Sequence, residues 1–422
     1  MKQEGIYYER DDPGQSYSVI FLNVTGDREN ASEIGNQIRC LYDILQRFRN
    51  GQIRDLPKFN GEQVKRLTFL IGYGRNLLSS MKKEGFIPLR FSRENLPDFN
   101  RPSNNKTINI WNNAGFDYSS YIDTNKADAD LAIQFISDSE SDTKRAVLET
   151  LKFLHDNEDN NQKKQAYPLL ELSGYYSGFQ RTDNRNMLDF LDGISNLASL
   201  NIHEREKVIY DDGSTHSGPK YFLPSELPLR KDSTFMCFLR ILIDLRLWRR
   251  ISAVVQEQLT GREKVSGCPL LYEKAGANKV PGCPVPGTDN VLDADKKNEK
   301  FLEVLPKQAE LEDSGNKGFN MSHIARVRGQ FINDTIRIFR QGYNFFEESN
   351  TSPYFKTGLN FVSFQNDPSF VHTILTSSQW MGGVTYGGNE SNNPIQKIMS
   401  VEAAGMFFVP PMTKDFPGSE FF

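Results

Sequence analysis

Three polar residues lie in contexts where their side chains could do chemistry. Asp192 precedes Gly193 in the segment MLDFLDGISN. Asp-Gly commonly marks a turn, so the acid is either a turn or helix N-cap residue or a carboxylate that could move a proton. His323 in MSHIARVRG is one of only five histidines. Four arginines follow it up to position 340, which is unusual, and the alternative to a functional role is a surface residue at a helix start.

The third residue is Arg340 in TIRIFRQGYNF. If this segment is a strand, Ile336, Ile338 and Arg340 point the same way. The guanidinium is then either exposed at the strand end or projected into a cavity. In a cavity, a permanently protonated arginine could stabilise negative charge.

The elements that position these residues can be predicted from apolar periodicity. In the first half, strands and helices alternate, and the segment at 156–187 is polar and irregular. This pattern predicts an α+β domain of ferredoxin-like type, with antiparallel strands packed against helices. The predicted strands are 17–24, 66–74 and 128–137, and the predicted helices are 32–49 and 141–155.

The second half has a similar alternation of predicted strands and helices, but its sequence does not repeat that of the first half. Its longest helical pattern is 233–259, and residues 261–320 resemble a long loop insertion. Strands are predicted at 335–340, 358–364 and 403–411, with a helix near 368–380. We therefore expect two ferredoxin-like domains, 1–215 with the Asp192 loop and 216–422 with the insertion.

Composition excludes several classes of protein. The net charge of −4 and pI near 5.9 provide no basic footprint for nucleic acid. No apolar run reaches the roughly 18 residues of a membrane helix, and the polar N-terminal segment predicts no secretory signal. G-x-S-x-G and H-E-x-x-H are both absent from the sequence, which disfavours a hydrolase.

Several segments together resemble one family, the dye-decolourising peroxidases. One departure is Asp189, which stands where the family's G-x-x-D-G motif has its first glycine. The matching segments are FLDGISN (190–196), SHIARVRG (322–329), RIFRQGYNF (337–345), GLNFVSFQNDP (358–368), ADLAIQFIS (129–137), EQLTGREKVSGCPL (257–270) and VEAAGMFFVPP (401–411).

The resemblance implies non-covalent haem b, one per chain, in the C-terminal half. His323 would be the proximal iron ligand, leaving the opposite axial position vacant for peroxide. Asp192 and Arg340 would lie on that open face, with Gly193 and Arg340 also contacting the cofactor. Glu402 is the predicted acceptor for the second ring nitrogen of His323.

The implied activity is reduction of hydrogen peroxide with oxidation of a dye, a phenol or another small organic reductant. Electrons from bulky donors could pass through a surface aromatic residue, with Trp380, Tyr386 and Tyr343 as candidates, although aromatic residues more often serve packing. The absent signal peptide and the near-neutral charge fit the cytoplasmic members of this family. No nucleic-acid or membrane partner is expected, and a homo-oligomer is left open.

Two other classes compete with this interpretation. One is a haem-binding or haem-handling protein whose peroxidase activity is incidental, and the other is a structural assembly protein without a cofactor. A Soret band excludes the scaffold, and fast reaction with peroxide excludes haem handling. The joint presence of Asp192, His323 and Arg340 in matching contexts favours the peroxidase.

Overall fold

In the computed structural model, the chain folds around one sheet of eight strands. The residues described are 1–6, 14–53, 66–81, 129–161, 170–192, 202–213, 231–265, 338–367 and 398–422, with 55, 56, 61, 63, 64, 267, 323, 370 and 371. The strands are β1 Ser16–Val24, β2 Thr68–Gly74, β3 Leu131–Ser137, β4 Leu170–Phe179, β5 Thr234–Ile243, β6 Phe339–Glu348, β7 Phe355–Gln365 and β8 Met399–Val409.

Six α-helices lie between these strands in the described part of the chain. They are α1 Ala31–Arg49, α2 Arg75–Ser80, α3 Glu140–Asn161, α4 Ile202–Ile209, α5 Leu245–Arg249 and α6 Ala253–Thr260, and a 3-10 turn, Ser419–Phe421, ends the chain. None of these helices is long and apolar enough to cross a membrane.

The sheet closes into an antiparallel barrel in the order β1-β3-β2-β8-β5-β7-β6-β4. Within this ring, β4-β1-β3-β2 come from the first half and β8-β5-β7-β6 from the second, so both halves have the same strand order. Among the described strands, the pairing between the two halves is short. β2 and β8 share two residue pairs, and β4 and β6 share the single pair Phe179–Asn344.

Strand alternation divides the apolar residues between two cores. One core lies inside the barrel and includes Tyr17, Phe238 and Tyr343. The other lies outside, where α1 and α3 cover the opposite strand faces. Consequently, successive residues of one strand alternate between the inner core and the outer core.

The predicted helix over 233–259 is wrong in its first part, and its second part is divided into the two short helices α5 and α6. Residues 234–243 form β5, which pairs with both β7 and β8 and is buried on both faces. An apolar run buried on both faces does not reveal its period, so helix and strand look alike in the sequence. The side chains of Asp244 and Ser252 cap α5 and α6, and these N-cap residues were the overlooked sequence signal that the run is broken.

The predicted irregular segment over 156–187 is also wrong in part, because α3 extends to Asn161 and β4 covers Leu170–Phe179. The helix predicted near 368–380 falls almost wholly outside the described residues, as does the predicted insertion beyond 267. The helices predicted at 32–49 and 141–155 and the strand predicted at 17–24 are confirmed as α1, α3 and β1.

Candidate active site

Strand β6 presents Arg340 on the outer face of the barrel. Phe339 and Tyr343 belong to the inner core, so the residues between them, Arg340 and Gly342, face outward. Arg340 lies opposite Ser363 of β7 and is partly exposed. The predicted common direction of Ile338 and Arg340 agrees with this alternation, whereas Ile336 lies outside the described residues.

Residues 180–192 form the loop that carries Asp192. A bridge between Arg185 and Leu191 closes the loop, and the Asp192 N–H donates to the Asn184 carbonyl at 2.8 Å. The Asn186 side chain accepts from the backbone N–H groups of two later residues, at 3.0 and 3.2 Å. Backbone and side-chain bonds together therefore hold the loop in one conformation.

Asp189 explains how this loop forms without the glycine expected there. Its φ of +69° lies in the left-handed region, which glycine adopts most easily. Aspartate tolerates this region better than most residues, and Arg181 Nη1 donates to Asp189 Oδ1 at 3.0 Å. The residue at position 189 thus differs from the family motif, and its backbone forms a left-handed turn three residues before Asp192.

The loop is fastened to the elements on either side of it. Asn344 Nδ2 of β6 donates to the Arg185 carbonyl at 3.1 Å, and Gln180 Nε2 donates to the Gly342 carbonyl at 3.3 Å. Arg185 Nη2 reaches the Val265 carbonyl, just beyond α6, at 3.1 Å. These bonds fix the position of the loop relative to β6.

The result is a close approach between Asp192 and β6. A β-carbon built on Gly342 would lie only 3.2 Å from Asp192 Oδ2 and 3.3 Å from Leu359 Cδ1. Gly342 is two residues from Arg340 on the same strand face, so the exposed carboxylate and the guanidinium lie on one side of the sheet. Both charged residues were predicted from the sequence, whereas Gly342 was not.

His323 completes the group of charged and polar residues. Burial lowers its pKa to about 3, and the positive charges of Arg340 and Arg262 act in the same direction. The imidazole is therefore neutral at working pH, which is the form that binds a metal. Arg262 is itself 6% exposed, and its Nη1 donates to the Gly267 carbonyl at 2.8 Å.

Arg262 is a second residue of this region that was not predicted from the sequence. It directly follows Gly261, whose φ of +85° ends α6 in a left-handed cap. The signal was present in GREKVSGCPL, the segment matched to the family, although no role was assigned to its arginine. The fold brings positions 192, 262, 323 and 340 to one region although they are distant in sequence.

Glu402 and Tyr343 lie in surroundings that differ from those predicted. The Glu402 carboxylate accepts from Arg240 Nε at 3.0 Å and also binds Lys356, and these are its partners among the described residues. Its bond to His323 stays a prediction. Tyr343 is not a surface residue, because it is fully buried and stacks on Tyr17 with ring centroids 4.5 Å apart. Gly193, Trp380 and Tyr386 lie outside the described residues.

Comparisons with known proteins identify the family of this arrangement. The model of the family described as Dyp-type peroxidase, C-terminal, matches residues 183–414, a span that contains Asp192, His323 and Arg340. A search of curated proteins found no match.

Solved structures share the fold over almost the whole chain. A DyP-type peroxidase from Cellulomonas bogoriensis is 18% identical with a TM-score of 0.63, covering 100% of this chain and 96% of that one. Ferric DtpA from Streptomyces lividans is 16% identical with a TM-score of 0.62, covering 99% and 94%. A DypB variant from Rhodococcus jostii, solved in complex with heme, is 13% identical with a TM-score of 0.52, covering 97% and 96%.

Proposed function

The chain belongs to the Dyp-type peroxidase family and is a haem-dependent peroxidase, and we propose that Asp192, His323 and Arg340 are the residues that carry its reaction. The observation that supports this assignment most is the approach of Asp192 to Gly342 on the strand face of Arg340. A haem-handling protein with incidental activity is not favoured, because such a protein needs no carboxylate and guanidinium on a shared face.

The described side chains fit a haem b held without a covalent bond, one per chain. A neutral imidazole can bind haem iron, and burial and neighbouring arginines keep His323 neutral. Arg262 and Arg340 place two positive charges near this histidine, which suits a cofactor that carries two carboxylate groups. His323 would therefore hold the iron, and Arg340 would contact the cofactor together with Gly193. Haem bound there would supply the redox chemistry of peroxide reduction.

Asp192 and Arg340 have separate tasks in this proposal. The Asp192 carboxylate takes the proton from one peroxide oxygen and returns it to the other, since an exposed carboxylate can both accept and donate. Arg340 stabilises the negative charge that develops as the O–O bond breaks, and its guanidinium stays protonated at any working pH. The hydrogen bonds that fasten loop 180–192 to β6 keep the two groups on one face.

Two ferredoxin-like domains, 1–215 and 216–422, provide the frame in this proposal. Support comes from the strand order. In each half, the fourth strand along the chain pairs with the first, the first with the third, and the third with the second. The short strand pairing between the halves, at β2–β8 and β4–β6, is consistent with two units that share one barrel. The second unit would hold the haem, and the first would contribute Asp192 from its last loop.

Hydrogen peroxide is the oxidising substrate, and a dye, a phenol or another small organic reductant is the donor that we propose. With Tyr343 buried, any relay through Trp380 or Tyr386 stays a prediction. A homo-oligomer and a cytoplasmic location also stay predictions.

The absorption spectrum of the purified chain, before and after one equivalent of peroxide, tests the proposal. We expect a Soret band that changes within the mixing time in the wild type. The band should be retained but change slowly in Asp192→Asn. A Soret band that does not respond to peroxide in the wild type would contradict the assigned reaction and favour haem handling.

A further inference from the structure

The end of the β6–β7 hairpin carries an unusual group of exposed aromatic side chains. Phe346 is 57% exposed and Tyr354 is 71% exposed. Phe346 also stacks on the half-buried Phe355, with ring centroids 5.2 Å apart and planes inclined by 17°. We call Phe346, Glu348, Tyr354 and Phe355 the hairpin patch.

The register places this patch on the outer face of the sheet. Phe346 and Glu348 lie on the same face of β6 as Arg340, Gly342 and Asn344, because each is an even number of residues away from them. Glu348 lies directly opposite Phe355, so a carboxylate flanks the ring stack. Six residues separate Phe346 from Arg340, which corresponds to about 20 Å along the strand.

The hairpin turn holds Tyr354 in its exposed position. The Ser349 N–H donates to the Tyr354 carbonyl at 3.0 Å, and the Tyr354 N–H donates to the Thr351 carbonyl at 2.7 Å. Tyr354 has a φ of +68°, a left-handed conformation that a bulky residue adopts only at an energetic penalty. The turn thus keeps a strained aromatic residue in solvent next to the ring stack.

We infer that the hairpin patch binds planar aromatic cations, and that the reductants of this enzyme include this class. The inference rests on the proposed peroxidase function. Phe346 and Phe355 offer flat faces on which a planar ring can stack, and Glu348 adds an exposed negative charge beside them. A positively charged ring gains both contacts, because it stacks on the phenyl faces and pairs with the carboxylate.

The size of the patch favours a small molecule over a second protein. The exposed area of its two most exposed rings is on the order of 300 Å², since aromatic side chains bury roughly 150–250 Å² each when fully covered. A stable protein interface needs about 800 Å² on each partner. The patch can therefore cover a dye-sized ligand but is too small alone to support a dimer.

The hairpin patch lies on the same sheet face as the residues of the proposed reaction. Phe179 of β4, 39% exposed, pairs with Asn344, midway along the strand between Arg340 and the patch. A donor bound at the hairpin would lie on the same sheet face as Asp192 without entering the peroxide site. Bulky reductants could then bind where small peroxide does not compete.

Equilibrium dialysis of the haem-loaded full chain with methylene blue, in the absence of peroxide, tests the inference. Phe346→Ser should raise the Kd for methylene blue about five- to tenfold, as expected for a lost ring stack. Leu148→Ser is the matched control, because it removes a 49% exposed apolar side chain from α3, and it should leave the Kd unchanged. Glu348→Gln should raise the Kd about two- to fourfold for methylene blue but not for the anionic anthraquinone-2-sulfonate.

Equal binding by wild type and Phe346→Ser, or no binding by the wild type, would overturn the inference. Sedimentation of the same samples provides a second check, since a wild-type dimer that dissociates in Phe346→Ser would show that the patch is a self-association surface instead. The peroxide-induced Soret change is recorded in parallel and should not differ between these proteins. Its absence in the wild type would count against the proposed peroxidase function, whereas lost dye binding with a normal Soret change counts only against the hairpin patch.

Discussion

Asp192 and Gly342 lie close together across the junction between loop 180–192 and strand β6. The carboxylate oxygen Oδ2 lies 3.2 Å from the position that a β-carbon on Gly342 would occupy. Because glycine has no β-carbon, the carboxylate can approach the strand that carries Arg340. A β-carbon at this position would be closer to Oδ2 than an ordinary van der Waals contact, so the carboxylate would have to shift.

Replacing Gly342 by alanine tests that contact. The new methyl group would displace Asp192 by a few tenths of an ångström, and small misplacements of a reacting group slow catalysis markedly. We expect the rate of reaction with peroxide to fall about tenfold, with a change in unfolding free energy below about 1 kcal/mol. Gly174→Ala is the control, because its β-carbon would make ordinary contacts of 3.4 and 3.5 Å, and stopped-flow absorbance measures both variants. Equal rates in both would show that the contact is incidental.

Arg340→Leu should separate charge stabilisation from haem retention. The Soret intensity should stay nearly intact, while the rate of peroxide reduction falls by about 100-fold on the scale of a lost electrostatic donor. Arg340→Lys keeps the charge but loses the planar fork, so we expect an intermediate rate. An unchanged rate in Arg340→Leu would remove this residue from the reaction.

His323→Ala should lose haem. The other histidines provide controls, because His203 is exposed on α4 and His372 lies in the second half of the chain. Haem content is measured by the pyridine haemochrome method on chains purified in parallel. Full haem occupancy in His323→Ala, with loss in His372→Ala or His203→Ala, would assign the ligand to another histidine.

Asp192→Asn tests whether this carboxylate moves the peroxide proton. An amide of nearly the same shape cannot accept that proton, so we expect the rate of reaction with peroxide to fall by about 100-fold or more. The Soret band should be retained, because Asp192 is not the proposed iron ligand, and stopped-flow absorbance measures the rate. A wild-type rate in the variant would make Asp192 a turn residue only.

Glu402→Gln distinguishes a structural role from a role beside the haem. Arg240 is fully buried, and its partners are Glu402 at 3.0 Å, Glu347 at 2.5 Å and Asn360 at 2.8 Å. Weakening one partner of a buried cation should lower the free energy of unfolding by roughly 1–3 kcal/mol in urea titrations. We expect the same loss with and without haem. If Glu402 instead accepts from His323, the loss should be confined to the haem-loaded chain, and the exposed Glu348→Gln serves as control.

Local sequence determined those elements whose period is unambiguous. The stripe of Ile34, Ile38, Leu41 and Leu45 predicts α1, because only a helix places these residues on one face, and the structure buries all four. The segments around Asp192, His323 and Arg340 likewise identified the family, since several matching motifs in order are far more specific than any one of them. Both inferences depend on neighbours in the chain, which a sequence displays directly.

Tertiary structure alone decided what depends on contacts between distant segments. β5 is a strand because β7 and β8 flank it, and its apolar run would satisfy a helix equally well. Glu402 binds Arg240 because adjacent strands bring β8 beside β5, and Tyr343 is buried because the barrel closes around it. The approach of Asp192 to Gly342 is of the same kind, since it requires the loop of one half to be fastened to a strand of the other. Such pairings are selected by the free energy of the whole packed chain, so no local pattern encodes them.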